Sequence, residues 1–125
     1  MPLISAAFSR SQRLTKAEEY RRVFRRGRRI NGSLFTIVAA PNGEARARLG
    51  LAISRKAARR AVDRNRLKRL VRESFRHRQT QLSGWDAVVM ARPAARLEPN
   101  AALSAQLNAL WRNLNDDATT AARTN

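Results

Sequence analysis

The sequence predicts a single α+β domain in the order helix, strand, strand, helix, strand, helix. Three observations carry that prediction. Apolar residues recur at helical spacing in three separate segments. Three short strand-like runs are bounded by Gly, Pro or Asn. The length of 125 residues suits one modest core.

The elements follow in chain order. Residues 1–14 read as a basic, flexible arm. In "TKAEEYRRVFRRG", Thr15 and Glu18 have capping-box spacing, Tyr20, Val23 and Phe24 share one side, and Gly27 is placed to close the helix in a left-handed conformation. "SLFTIVAAP" is a β-branched and aromatic run ended by Pro41, and "PNGE" supplies a turn before "ARARLGLAIS". The simplest reading pairs these two strands as an antiparallel hairpin around Asn42-Gly43. In the second of them Leu49, Leu51 and Ile53 alternate with Arg46, Arg48, Gly50, Ala52 and Ser54. The first set builds core. The second either lies beneath a packed helix or floors a shallow groove for a backbone or base. A basic helix follows, roughly from Lys56 to Gln81, and "WDAVVMA" reads as a third strand. After a loop, Pro99 and Asn100 introduce a last helix with Leu103, Leu107, Leu110, Trp111 and Leu114 on one stripe. A single domain is expected over residues 15–115, with 116–125 as a flexible tail.

Charge narrows the function. Twenty-six Lys and Arg against nine Asp and Glu give +17, and nearly all the basic residues are arginine. Self-repulsion on that scale opposes compaction, so the charge implies a polyanionic partner. Arginine's planar fork suits phosphate and stacks on bases. The chain has no cysteine, which excludes thiol catalysis, cysteine-ligated zinc and disulfides and fits a reducing compartment. No apolar run reaches the roughly 20 residues of a membrane span. In "MPLISAAFSRSQR" the charges follow the apolar part, the reverse of a secretory signal, so a cytoplasmic location and no membrane partner are expected.

The basic helix is one-sided. At about 100° per residue, Leu67, Leu70, Val71, Ser74 and Phe75 gather on one side. Arg64, Asn65, Lys68, Arg69, Arg72 and Arg76 gather on the other. Between Arg55 and Arg78 eleven basic residues face only Asp63 and Glu73. A solvated helix normally mixes signs, because like charges at i,i+4 destabilise it. The surplus points to nucleic acid. Catalytic signatures are missing: the one histidine, His77, lies among arginines, and the carboxylates are scattered. No metal-ligand spacing, phosphate-cradling glycine loop or nucleophile elbow is present. An independently active nuclease would need clustered carboxylates or a placed histidine. A sequence-specific DNA-binding protein fits poorly as well, since the flanking strands match no helix-turn-helix arrangement, and no DNA partner is expected.

The stretch "LGLAISRK…AVDRNRLKRLVRESFR" resembles the signature of the bacterial ribonuclease P protein subunit. "YRRVFRRG", "LFTIVA", "DAVVMARP" and the Leu-Trp-Arg of the last helix follow in that family's order, so the likeness covers about residues 10–115. The resemblance implies an α/β sandwich with a small mixed sheet and a left-handed crossover through the basic helix. It also implies a cofactor role beside a catalytic RNA that uses Mg²⁺ to remove 5′ leaders from precursor tRNA. By that resemblance Arg64, Asn65, Arg66, Lys68, Arg69 and Arg72 meet the catalytic RNA. Tyr20 and Phe24 match aromatic positions of a leader cleft, with Phe35 a further candidate. Arg55 and Lys56 at the crossover serve either RNA. For Phe24 the competing role is core packing. Two departures from the family stand out: Tyr20 replaces a common phenylalanine, and "RKAARRAVD" lacks a glycine that many relatives carry. The alternative function is a ribosomal or other structural RNA-binding protein.

Overall fold

The sheet assembles around its most apolar strands. β1 (Arg28–Asn31), β2 (Phe35–Pro41), β3 (Arg48–Ala52) and β4 (Trp85–Ala91) lie in the spatial order β1-β2-β4-β3. The computed structural model describes residues 12–124, with side chains through residue 115. Asp86 through Val89 of β4 and Phe35 through Ala40 of β2 are buried without alternation, the mark of strands covered on both faces. Those two strands take the centre. β1 and β3 form the edges, where Arg28, Arg29 and Arg48 are tolerated.

This order corrects the expected hairpin. β2 pairs with β1 and β4, both antiparallel, while β3 runs parallel to β4 and never touches β2. The connection after Asn42 therefore spans two strand spacings, about 10 Å. It turns at Gly43, whose φ of 70° suits glycine. Asn42 Oδ1 accepts the Glu44 N–H at 2.7 Å, and Asn42 Nδ2 donates to the Arg46 carbonyl at 2.9 Å. β1 is an addition to the expected order. Ile30 is its one buried residue, too little apolar pattern to announce a strand.

Three helices cover the sheet. α2 (Ala61–Arg78) crosses from β3 to β4, and α3 (Asn100–Thr124) packs beside it after a 3₁₀ turn at Pro93–Leu97. Leu67, Val71 and Phe75 of α2 meet Leu103, Leu107, Trp111 and Leu114 of α3 over Phe35, Ile37 and Val89. Both expected stripes are therefore core. The Trp111 indole N–H donates to Ser74 Oγ at 2.9 Å, and its ring stands edge-on to Phe75 with centroids 6.2 Å apart.

α1 (Ala17–Arg26) packs on the opposite face, where Val23 joins Leu14, Val38 and Val88. Its cap lies one residue later than expected: the Glu19 carboxylate accepts the N–H groups of Thr15 (2.9 Å) and Lys16 (3.0 Å). Gly27 ends the helix, but in extended conformation (φ −80°, ψ 156°) and not left-handed. Close approach explains the glycine. A Cβ there would sit 2.4 Å from the Val23 carbonyl oxygen and 2.8 Å from Val38 Cγ1. Residues 1–11 of the expected arm, and residue 125, lie outside the described residues. Leu14, assigned to that arm, is buried and donates its N–H to the Leu49 carbonyl at 2.9 Å. The backbone of α3 continues to Thr124, past the expected domain end.

Candidate nucleic-acid interface

α2 presents its polar side to solvent because its apolar stripe is fully used against the sheet and α3. The six residues expected to meet RNA separate into distinct settings. Asn65, Arg69 and Arg72 line a shallow groove with Arg13, Glu73 and Arg76. Lys68 turns with Arg72 toward a second cleft, shared with Leu14, Tyr20, Leu49 and Leu51. Arg64 and Arg66 are tied to the fold. Arg64 Nη1 donates to the carbonyls of Ala58 (2.9 Å) and Arg59 (2.7 Å), which fixes the turn leading into α2. Arg66 donates to Asn100 Oδ1 (2.5 Å) and to the carbonyls of Arg96 (3.3 Å) and Glu98 (3.1 Å), holding the start of α3.

On the other face, strand register defines rows of side chains. One row runs Ala40, Asp86, Arg48; the next runs Arg29, Val38, Val88, Gly50; a third runs Asn31, Thr36, Met90, Ala52. α1 lies over the middle row: Val23 packs on Val38 and Val88, and the Tyr20 ring covers Gly50. A Cβ at Gly50 would fall 2.8 Å from Tyr20 Cε2, so the small residue serves a packed helix there. The Tyr20 hydroxyl also accepts the Leu51 N–H at 3.1 Å, occupying a donor on the sheet's edge strand.

Beyond Tyr20 the third row remains only partly covered. Met90 and Ala52 are half-buried, and Phe24 is 41% exposed at its margin. Tyr20 and Phe24 thus stand together on one wall. Phe35 does not join them. It is fully buried in the core on the α2–α3 face, because its register with Ala91 sets it opposite to Thr36. Arg55 and Lys56 are exposed on the turn before α2, and Lys56 borders a basic patch with Arg59, Arg60 and Arg96. Asn31, Thr36 and Met90 went unnamed in the sequence reading. The alternation of "WDAVVMA" could have placed Met90 with Asp86 and Val88, but only the pairing register brings Thr36 and Asn31 beside it.

The first row is a buried charge cluster. Asp86 is fully buried, and Arg48 meets it bidentately, Nε to Oδ1 at 2.9 Å and Nη2 to Oδ2 at 2.8 Å. Asn42 Nδ2 donates to Asp86 Oδ1 at 3.0 Å, and Arg22 of α1 reaches Oδ2 at 3.4 Å. Arg48 also pairs with Glu19 at 3.0 Å. The expected basic end of this face is therefore neutralised at Arg48, and the cluster pins α1 to the sheet. The Lys16 and Thr15 N–H groups, aided by Arg48, hold the Glu19 carboxyl below the usual carboxylate range. The Asp86 hydrogen bonds push Arg48 further up. Elsewhere Asp63 pairs with Arg60, and Glu73 pairs with Arg76 and His77. Among the described residues, no three metal-ligating side chains converge.

The family model described as Ribonuclease P matches residues 8–115. The chain belongs to the ribonuclease P protein family. It is 48% identical over 111 residues to the ribonuclease P protein component of Thioalkalivibrio sulfidiphilus, covering 89% of this chain and 92% of that one. To that of Methylococcus capsulatus it is 53% identical over 104 residues, covering 83% and 81%. Among solved structures, a mutant Staphylococcus aureus RNase P protein superposes with a TM-score of 0.79 at 26% identity, covering 83% and 88%. The Thermotoga maritima RNase P protein gives 0.71 at 30% identity, covering 80% and 96%. Membership sets aside the alternative of a ribosomal RNA-binding protein, and the mixed sheet with three helices is the family's fold. Among the described residues no helix is long and apolar enough to cross a membrane.

Proposed function

We propose that the chain acts in the cytoplasm as the protein subunit of ribonuclease P, holding a catalytic RNA and the 5′ leader of precursor tRNA on two adjoining surfaces. The observation that carries this reading is the junction at Lys68 and Arg72, where the cationic face of α2 meets the cleft beside Tyr20. Asn65, Lys68, Arg69 and Arg72 bind phosphates of the catalytic RNA. Arg64 assists with the donors left after Nη1 is engaged, since a guanidinium carries five. Arg66 acts chiefly by holding the start of α3 against this face.

The leader lies along the partly covered row. Tyr20 and Phe24 offer ring surface, Met90 and Ala52 form the floor, and Arg55 and Lys56 guide the strand past the crossover. Stacking tolerates any base, as a leader of variable sequence demands. Among the described residues no carboxylates gather into a Mg²⁺ cage, and those at Glu19, Asp63, Glu73 and Asp86 already pair with arginines. In this reading Mg²⁺ is bound by the RNA subunit and supports bond cleavage there. The chain supplies positive charge that lets two polyanions approach.

The test is cleavage of precursor tRNA by the chain alone, by a ribonuclease P RNA alone and by both at low salt. The expected result is Mg²⁺-dependent cleavage that requires the RNA and is improved by the chain. Robust cleavage by nuclease-free chain alone would overturn the reading.

A further inference from the structure

One charged surface lies outside both regions described above. On α1, Tyr20 and Phe24 are about 40° apart, and Arg21 and Arg25 follow on the outward side of Phe24. Arg22 and Glu19 point to the opposite side, toward Asp86 and Arg48. With Val23 facing the sheet, Arg21 and Arg25 thus stand on the outer crest of α1, above the wall made by Tyr20 and Phe24. The line continues past Gly27 onto β1, where the pairing of Arg29 with Val38 turns Arg29 to the same face of the sheet. All three arginines are exposed, and none forms an ion pair among the described residues. Glu18, the nearest acid on this arc, engages none of them.

Arg21 and Arg25 repel at i,i+4, and no fold contact offsets that cost. The arrangement favours an anionic ligand. A membrane or an acidic protein surface would need only net charge, whereas these arginines form a line continuous with the wall made by Tyr20 and Phe24. That continuity selects a strand already lying in the cleft. From β3 to β1 the line crosses three strand spacings, about 14 Å.

We propose that Arg21, Arg25 and Arg29 form a phosphate track for the 5′-distal part of a long leader, carrying single-stranded RNA from the Tyr20–Phe24 wall over the outer crest of α1 to the β1 edge. The proposal rests on the reading of the cleft as the leader site. It adds that affinity keeps rising with leader length after the aromatic wall is filled.

The experiment measures dissociation constants of the assembled holoenzyme for mature tRNA, for a precursor whose leader ends at the aromatic wall, and for one with a leader long enough to reach β1. The variants are the triple Arg21→Gln/Arg25→Gln/Arg29→Gln, the corresponding triple Lys variant, and Tyr20→Ala. The wild type should bind the long-leader precursor more tightly than the short-leader one, and the Gln triple should equalise them. It should leave the short-leader and mature affinities unchanged. For the long leader, its log–log salt slope should fall by about two, from roughly 0.7 per single-strand phosphate contact. The Lys triple should restore most of the loss. A wild type indifferent to the longer leader, or a Gln triple that keeps the advantage, would overturn the track. So would equal weakening of all three ligands, which would assign these arginines to the catalytic RNA or the tRNA body. Loss of the short-leader advantage in Tyr20→Ala reads the cleft itself, so failure of that reading is seen separately.

Discussion

The two faces of the sheet are built to different standards of closure. On the α2–α3 face, Phe35, Ile37, Leu67, Phe75, Leu103 and Trp111 are all fully buried. On the α1 face only Leu14, Val23, Val38 and Val88 make a core, and beside them lie a fully buried carboxylate and a row left partly open. The difference sets a closed, fully packed core on one face against an open row on the other, the row that the proposed function gives to the leader. The sharpest test is Trp111→Ala, which removes a large buried side chain and its bond to Ser74. It should destabilise the chain by about 3–5 kcal/mol. Denaturant unfolding reads the loss directly. A loss no larger than that of an exposed position would mean the closed face does not carry the fold.

The open face should respond in binding before it responds in folding. Tyr20→Ala should cost about 1–3 kcal/mol of holoenzyme affinity for precursor tRNA and leave mature tRNA binding nearly unchanged. Tyr20→Phe keeps the ring over Gly50 and loses only the acceptor for the Leu51 N–H, so its precursor-to-mature ratio should stay near wild type. If Tyr20→Ala weakens both ligands equally, Tyr20 belongs to the packing of α1 and the two faces differ less than proposed.

How much of this was legible in the sequence depends on the range of the interaction. The stripes of α2 and α3 were readable because a period near 3.6 is local and each stripe faces one surface. The hairpin expectation failed because strand pairing is long-range: β4 inserts between strands that are neighbours along the chain. β2 gave no clue, since its unbroken burial hides which residues face which layer, and Phe35, a further candidate for the leader cleft, lies in the α2–α3 core. The Asp86 cluster joins residues 38 and 64 positions apart, a separation that leaves no periodic trace. The same holds for Arg66, whose partners lie 30 to 34 positions away. By residue type and family resemblance it looked like the other RNA-contacting candidates of α2.

Arg66 and Arg69 therefore offer a matched pair on one helix. Arg66→Ala should lower stability by about 1 kcal/mol, because three acceptors in and just before the start of α3 lose a half-buried donor. Arg69→Ala should leave stability unchanged and instead reduce the salt slope of RNA binding by about one unit or less. Thermal unfolding and salt-dependent affinity, measured on both variants, check the contrast. Equal effects in both assays would return Arg66 to the same role as Arg69.

The smallest expected effect lies where α1 is pinned. Glu19 accepts two N–H groups at the start of the helix and pairs with Arg48, so its folded carboxyl titrates below the ordinary value of 4.5. A carboxylate with a depressed folded pKa contributes stability that is complete above its unfolded pKa. That contribution disappears as pH falls through the lowered folded value. In Glu19→Gln the amide oxygen can still accept the N–H groups, but the charge at the helix start and opposite Arg48 is lost. The variant should be less stable than wild type by about 0.3–1 kcal/mol near neutral pH. The gap should stay constant down to roughly pH 5 and shrink below the ordinary carboxylate range. All other carboxylates are common to both chains and cancel in the difference. Denaturant midpoints over a pH series measure it, and a gap that persists unchanged into strong acid would show that Glu19 acts by shape alone, with no part for its charge.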